Sequence, residues 1–244
     1  MDYESLLEAA RGDERVVGLV LTGSRGRGVL VREGSDWDVR VVVRDDALDE
    51  CRRRYETPHG SQVEAAVLPL SEFARAGLPG SGSEWDRYSY VRAQVPLDRD
   101  GVVTGLVAAK AALAPDEARG LAVAALDAYV NAYFRSAKCL RLGLDLEAQL
   151  DAAESVPPFL TALFAVHGRV RPFNKFLRWE LEAFPLGEET WRADTLLPRL
   201  AEIAATADAA AQQALFRDAE RLARGRGLGD VIDGWEADSS LLRG

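Results

Sequence analysis

Hydrophobic positions in the first half of the chain switch between helical and strand spacing. Between Asp2 and Arg11 the apolar residues Leu6, Leu7 and Ala10 fall on one side of a helix, and Gly12 supplies its stop. An almost unbroken apolar run, Val16, Val17, Leu19, Val20 and Leu21, predicts a buried strand that ends at Thr22-Gly23-Ser24. Residues 25–31 read as a basic loop or short helix, and Glu33-Gly34 turns the chain into a second strand opened by Ser35-Asp36-Trp37-Asp38. Alternation sends Asp36 and Asp38 to one face of that strand and Trp37, Val39, Val41 and Val43 to the other. Asp45 to Tyr55 is charged and helix-compatible, and Thr57-Pro58-His59-Gly60 has turn composition. Ser61 to Leu68 is a third strand, with Val63, Ala65 and Val67 on one face and Gln62, Glu64 and Ala66 on the other. Ser71 suits the N-cap of a short helix through Ala76. Gly77 to Gly82 is a loop of a kind able to close over a site. Trp85 to Asp98 predicts a helical turn and a further strand ending at Arg99-Asp100-Gly101.

After Gly101 alanine becomes frequent and strand formers thin out, which places a domain boundary near residue 114. Ala114-Pro115-Asp116-Glu117 starts a long helix expected to run to Leu142 and stop at Gly143. On it Asp127, Asn131, Arg135 and Lys138 share one stripe, which a solvated surface alone would explain. Asp145 to Glu154 is a second helix, and Pro157-Pro158 begins a third that ends at His167-Gly168. In the block RPFNKFLRWEL and its continuation, Phe173, Phe176, Leu177, Leu181 and Phe184 make an apolar face, with Lys175 and Trp179 on a neighbouring one. Trp191 to Trp235 holds two or three amphipathic helices, including an Ala-rich one near 204–214, before an exposed tail.

A chain of 244 residues can hold one large domain or two small ones. Its net charge of −9 argues against wrapping nucleic acid, which demands a dense cationic surface, though an acidic protein biases encounter toward a small polycation. Cys51 and Cys139 lie far apart without metal-ligand spacing, and no signal peptide is read at the N-terminus, so both are expected to be free thiols of a cytoplasmic protein. His59 and His167 are too few for a zinc site, and no apolar run approaches a membrane span.

The chemistry concentrates between Val16 and Glu64. Two carboxylates at a strand mouth repel each other unless a cation lies between them, and hard oxygen donors suit Mg2+, which shares its shell with waters and substrate phosphates. Gly23-Ser24 offers phosphate a backbone without a Cβ in the way, N–H donors at a helix start, and a hydroxyl. On spacing alone, Glu64 fits a solvated strand position as well as a functional one.

An apolar strand, Gly-Ser, a small-residue turn and then Ser-Asp-x-Asp resembles the signature of the polymerase-β-like nucleotidyltransferase superfamily. Within it, GSRGRG followed by SDWD is most similar to the antibiotic (aminoglycoside-type) nucleotidyltransferases and their bacterial relatives. The resemblance implies an α+β architecture. A nucleotidyltransferase domain over residues 1–114, with a small mixed sheet flanked by helices, would precede a C-terminal all-helical bundle domain over 115–244. It also implies Mg2+-dependent transfer of a nucleotidyl group, AMP if the donor is ATP rather than another NTP, to a hydroxyl of a small acceptor, with pyrophosphate released. By family the natural acceptor is an aminoglycoside-like antibiotic. Asp36 and Asp38 would hold metal. Glu64, placed where the superfamily carries its third carboxylate, would complete the metal site or take the acceptor's proton, a role that the neighbouring charges favour by raising its proton affinity. Gly23 and Ser24 would grip the triphosphate. Arg135 and Lys138, on a helix that presents cations in the relatives, and Lys175, in a block similar to one of theirs, would neutralise the leaving pyrophosphate. Both ligands are expected to meet between the domains, and a homodimer could add walls. Trp85 and Asp86 could contact the acceptor, although such a Trp is more often packing. Trp37 departs from the Ile, Leu or Tyr usual between the paired acids, so the sheet must make room for it.

Four other readings compete. A dinucleotide site is excluded because the G-x-G-x-x-G frame needs Gly at Arg25 or Val31, and a kinase lacks its HRD-like loop. A nucleotide- or partner-binding relative that has lost catalysis should lack a carboxylate, yet all three are present. A protein-modifying enzyme of toxin–antitoxin type is commonly a minimal domain, whereas here a helical half is fused on.

Overall fold

A computed structural model describes residues 1–235 and 239–243. The protein is α+β, with a four-stranded mixed sheet and many helices, and it divides into two compact units, Met1–Ala112 and Leu113–Gly244.

In the first unit, α1 (Tyr3–Arg11) starts at Asp2, whose carboxylate accepts the Ser5 N–H, and closes at Gly12. There follow β1 (Val16–Leu21), the single-turn helix α2 (Gly23–Arg27), β2 (Trp37–Val43), α3 (Leu48–Tyr55), β3 (Val63–Pro69), α4 (Leu70–Arg75), β4 (Gln94–Asp98) and α5 (Val102–Ala111). The strand order is β3-β2-β1-β4; β1 runs antiparallel to both of its neighbours, and β2 and β3 are parallel. One face of the sheet buries Val16, Leu19, Leu21, Val39, Val41, Val43, Val63, Ala65 and Val67 with residues of α1 and α3. Val20 and Val42 point the other way, into a smaller core with Phe73, Tyr90, Val103 and Val107. Each such aliphatic side chain contributes roughly 1.5–3 kcal/mol by leaving water. Because both faces are covered, β1 reads as a continuous apolar run rather than an alternating one.

Trp37 finds its room against α1: its ring stacks on Tyr3 with centroids 4.0 Å apart and planes 6° from parallel. The sequence pattern assigns no helix to residues 102–111, where α5 forms. Asp98 starts it by accepting the N–H groups of Val103 and Thr104, and it approaches β1 so closely that a Cβ on Gly18 would lie 2.7 Å from Val103. Ser71 is not a cap. It lies inside α4, and its N–H is taken by Asp45 from the turn after β2.

Asp13 is the most heavily bonded carboxylate of this unit. Arg15 donates to it through Nε and a terminal nitrogen, both at 2.8 Å, Tyr55 through its hydroxyl at 2.9 Å, and Arg54 at 3.2 Å. The Arg15 hydrogen bonds hold it far below the usual carboxylate range, against the opposing effect of its burial. Replacing Asp13 by Asn should cost about 1–3 kcal/mol at neutral pH, since the buried Tyr55 hydroxyl and the part-exposed guanidinium groups of Arg15 and Arg54 lose a charged acceptor. A carboxylate whose folded pKa is depressed stabilises above its unfolded pKa of about 3.9 and loses that contribution as pH falls through the folded value. The stability gap between wild type and Asp13→Asn, measured by urea unfolding, should therefore be constant from pH 5 to 7 and narrow below about pH 4.

The named elements of the second unit are all helical: α6 (Pro115–Arg141), α7 (Asp145–Ala165), α8 (Leu177–Ala183), α9 (Ala193–Thr206), α10 (Ala209–Gly225), α11 (Gly229–Asp233) and α12 (Ser239–Arg243). Helices α6 and α7 form an antiparallel hairpin in which Tyr129 meets Phe159 and the Ser136 hydroxyl donates to the Ala148 carbonyl. Here the sequence reading needs correction. Pro157-Pro158 does not begin a new helix; α7 runs straight through the pair. Two missing N–H groups weaken one turn, but Ala148, Ala152 and Ser155 before them and Phe159, Leu160 and Leu163 after them all lie in one buried face, and that packing holds the helix together. The Ala-rich stretch near 204–214 is likewise two helices. Ala207 adopts φ 51°, and Asp208 restarts the chain by accepting the N–H of Ala211. The tail is not wholly exposed, since Leu242 is buried and its carbonyl accepts the Tyr133 hydroxyl at 2.7 Å; part of the expected tail lies outside the described residues. Among the described residues no helix is long and apolar enough to cross a membrane.

Candidate active site

The parallel pairing of β2 with β3 sets Asp38 directly opposite Glu64, while Trp37 pairs with Val63 and Val39 with Ala65. Since the apolar set of both strands faces α1 and α3, the two carboxylates emerge together on the other face. Asp36, in the turn before β2, joins them, and one oxygen from each of the three lies within 4.8 Å of the others. Three like charges so close cost energy in register on a sheet, and a divalent cation among them reverses the sign. Their oxygen-only donor set suits Mg2+ rather than zinc.

The loop after β1 is built against this cluster. Asp38 O accepts the Thr22 N–H at 2.8 Å and the Thr22 hydroxyl at 3.2 Å, so the loop is stitched to the strand that carries the acid. Gly23 follows at φ +64°, and a Cβ there would sit 1.9 Å from Asp38 Oδ2. Ser24 is buried, and among the described residues its hydroxyl has no hydrogen-bond partner. The basic residues of the loop hold structure. Arg25 donates to the Ser35 carbonyl and lies 4.3 Å from the Trp37 ring centroid, and Arg27 donates to the carbonyls of Gly23 and Tyr88. Arg25 thus ties the loop to the turn before β2, and Arg27 ties it to the segment around Tyr88.

Glu64 has neighbours that the sequence reading did not assign to it. One carboxylate oxygen accepts the Gly60 N–H at 2.6 Å, and the other lies 3.0 Å from His59 Nδ1. His59 and Gly60 belong to the turn that feeds directly into the strand carrying Glu64, and that proximity in the chain is the sequence signal for the contact. The Gly60 N–H chiefly, then His59, hold the Glu64 carboxyl below its ordinary pKa, with burial opposing. The shift is opposite in direction to the raised proton affinity expected of a carboxylate beside two others.

The remaining candidates divide. Trp85 is not packing, for it is 75% exposed, whereas Asp86 is engaged by Arg40 and by the Ser89 hydroxyl. In the second unit the α6 stripe is largely a surface. Asp127 accepts the Trp235 indole N–H, and Lys138 is exposed. Arg135 reaches across to α7, where Asp151 and Glu154 hold it at 2.9 and 2.6 Å, so it would have to leave two carboxylates to meet a phosphate. Lys175 is exposed, with its ammonium 5.4 Å from the Phe176 ring centroid, and Trp179 stands edge-on to Phe184. His167 sits just past the C-cap of α7 with Nδ1 2.7 Å from the Leu163 carbonyl, as expected of a helix-end residue. Compared with models of known protein families and with curated protein sequences, the chain matches none.

Proposed function

We propose that the chain is a Mg2+-dependent nucleotidyltransferase that moves a nucleotidyl group, AMP from ATP, to a hydroxyl of a small acceptor. Residues 1–114 would be its nucleotidyltransferase domain and 115–244 a helical bundle domain, working in the cytoplasm. The observation that carries this reading is the convergence of Asp36, Asp38 and Glu64 beside the Gly23-Ser24 loop.

The residues present fit both ligands: an all-oxygen acidic set for the cation, and for a phosphate oxygen a buried hydroxyl with no partner of its own. Asp36, Asp38 and Glu64 would hold Mg2+, which when bound neutralises charge on the triphosphate and on the attacking and leaving oxygens. Gly23 lets the backbone lie close to the Asp38 carboxylate, and the Ser24 hydroxyl donates to the triphosphate. Of the three cations assigned to the leaving pyrophosphate, Arg135 is already held by Asp151 and Glu154, whereas Lys138 and Lys175 are exposed. The acceptor hydroxyl oxygen attacks the α-phosphorus and its proton passes to water, the bond from that phosphorus to the bridging oxygen breaks, and pyrophosphate leaves. The net charge of −9 favours encounter with a cationic acceptor such as an aminoglycoside.

The test is pyrophosphate release from ATP and Mg2+ across a panel of hydroxylated acceptors, aminoglycosides included. Release only with one acceptor class supports the proposal; nucleotide binding with no release from any acceptor would favour a non-catalytic relative, and labelling of a protein the protein-modifying one. Glu64→Gln separates two roles. We expect weakened Mg2+ binding, measured calorimetrically, together with turnover reduced on the order of 10²-fold. Retained Mg2+ affinity with lost turnover would return Glu64 to the role of base.

A further inference from the structure

The sheet face that carries the acidic cluster also carries a cation. Alternation along β2 puts Arg40 on the same face as Asp38, with the two Cα atoms roughly 7 Å apart. Arg40 pairs with Val20 of β1 and Ala66 of β3, one step in from the pairing of Asp38 with Glu64. Among the groups that act on the Glu64 carboxylate, the Arg40 charge follows the Gly60 N–H and His59. Beyond Arg40 the face turns apolar, where Val20 and Val42 pack with Tyr90. The Arg40 guanidinium is turned to Asp86, Nη2 lying 3.6 Å from Oδ2, and the two side chains are 22% and 15% exposed.

The partners in this pair are not held alike. Asp86 is short and its segment is anchored. Its other oxygen accepts the Ser89 hydroxyl, and the adjacent Arg87 is buried and donates to the Lys110 carbonyl at 2.9 Å and the Ala112 carbonyl at 2.6 Å. Arg40 is long and rich in rotamers. Its contact with Asp86 is also longer than the 2.8 Å hydrogen bonds by which Arg15 grips Asp13. Arg40 therefore stands between two attractions, Asp86 on one side and three carboxylates on the other. We propose that Asp86 is a positioning residue of the metal site, which draws the Arg40 guanidinium away from the oxygens of Asp36, Asp38 and Glu64. The inference rests on the reading of those three as Mg2+ ligands. Without Asp86, Arg40 swings one step along the face and competes with the divalent cation for the same oxygens. Without Arg40, the cluster loses a neighbouring positive charge while Asp86 adds a negative one, and the cation is held more tightly.

Calorimetric titration of the full chain with MgCl2, in the absence of nucleotide, tests this. Arg40→Gln should bind Mg2+ on the order of tenfold more tightly than wild type, and Asp86→Asn on the order of tenfold more weakly. A damaged fold does not raise affinity, so the first result separates a charge effect from a structural one. In the double variant the arginine that Asp86 restrains is gone, and affinity should be no lower than that of wild type. Unchanged Mg2+ affinity in either single variant, or weaker binding by Arg40→Gln, would overturn the proposal. So would a weakening by Asp86→Asn that persists in the double variant, since Asp86 would then act on the site without Arg40. If wild type and all three variants take up no Mg2+, the metal-site reading itself fails and this inference falls with it.

Discussion

Asp38→Ala should fold normally and lose nucleotidyl transfer, with kcat/KM down by on the order of 10³-fold or more. Asp38 occupies the second position of β2, and its oxygen lies among those of Asp36 and Glu64. Removing one of three clustered carboxylates should leave the urea midpoint without Mg2+ close to that of wild type. With the cation present, the same substitution removes a ligand. The variant should therefore lose the Mg2+-induced gain in thermal stability that binding confers on wild type. Asp36→Ala should behave alike. Pyrophosphate release and melting with and without Mg2+ are the two readouts. Near-normal turnover in Asp38→Ala would sink the metal assignment, whatever the fold of the variant.

How far these features could be read without coordinates depended on whether local pattern or distant packing decided them. The strands β1, β2 and β3 were legible because buried strands need apolar residues at every other position or throughout, and Val39, Val41 and Val43 or Val63, Ala65 and Val67 have nowhere else to go. The same alternation put Asp38 and Glu64 on the polar faces of their strands. It did not put them opposite one another; that follows from the parallel register of β2 with β3, which no local pattern encodes. Where propensity and packing disagreed, packing won. Pro157 and Pro158 argue for a helix start, but the buried faces on either side make one helix of α7. Alanines 204–214 argue for one helix, yet Ala207 takes a left-handed conformation and Asp208 caps anew. Partners from another element were invisible in the same way. Arg135 is neutralised by Asp151 and Glu154 of the neighbouring helix, and the depressed proton affinity of Glu64 comes from a backbone N–H at Gly60. Ion pairing with carboxylates across a helix hairpin is a property of the fold, so a cationic stripe alone could not distinguish a phosphate ligand from a structural brace.

Gly23→Ala should damage the site almost as severely as loss of Asp38, through geometry rather than charge. Two costs coincide at this position. The residue holds φ +64°, which any L side chain adopts at a cost of about 1–2 kcal/mol. The added methyl would also lie 1.9 Å from Asp38 Oδ2 and 2.9 Å from its Cγ, well inside contact distance. Asp38 has too short a side chain to evade this by bending at its end, so its carboxylate must rotate away or the Thr22-Gly23 backbone must lift off β2. Lifting would strain the Thr22 N–H bond to the Asp38 carbonyl, and rotation would take an oxygen out of the acidic cluster. Either way the Mg2+ affinity and turnover should fall together, by on the order of 10²-fold or more, while unfolding free energy drops by only about 1–2 kcal/mol. Gly28, at φ +69° with nothing within 4 Å of a built Cβ, is the internal control. Gly28→Ala should bear a similar conformational cost and keep its activity, because no carboxylate stands in its way. Equal activity losses in the two variants would mean that loop strain, not the seat beside Asp38, sets turnover.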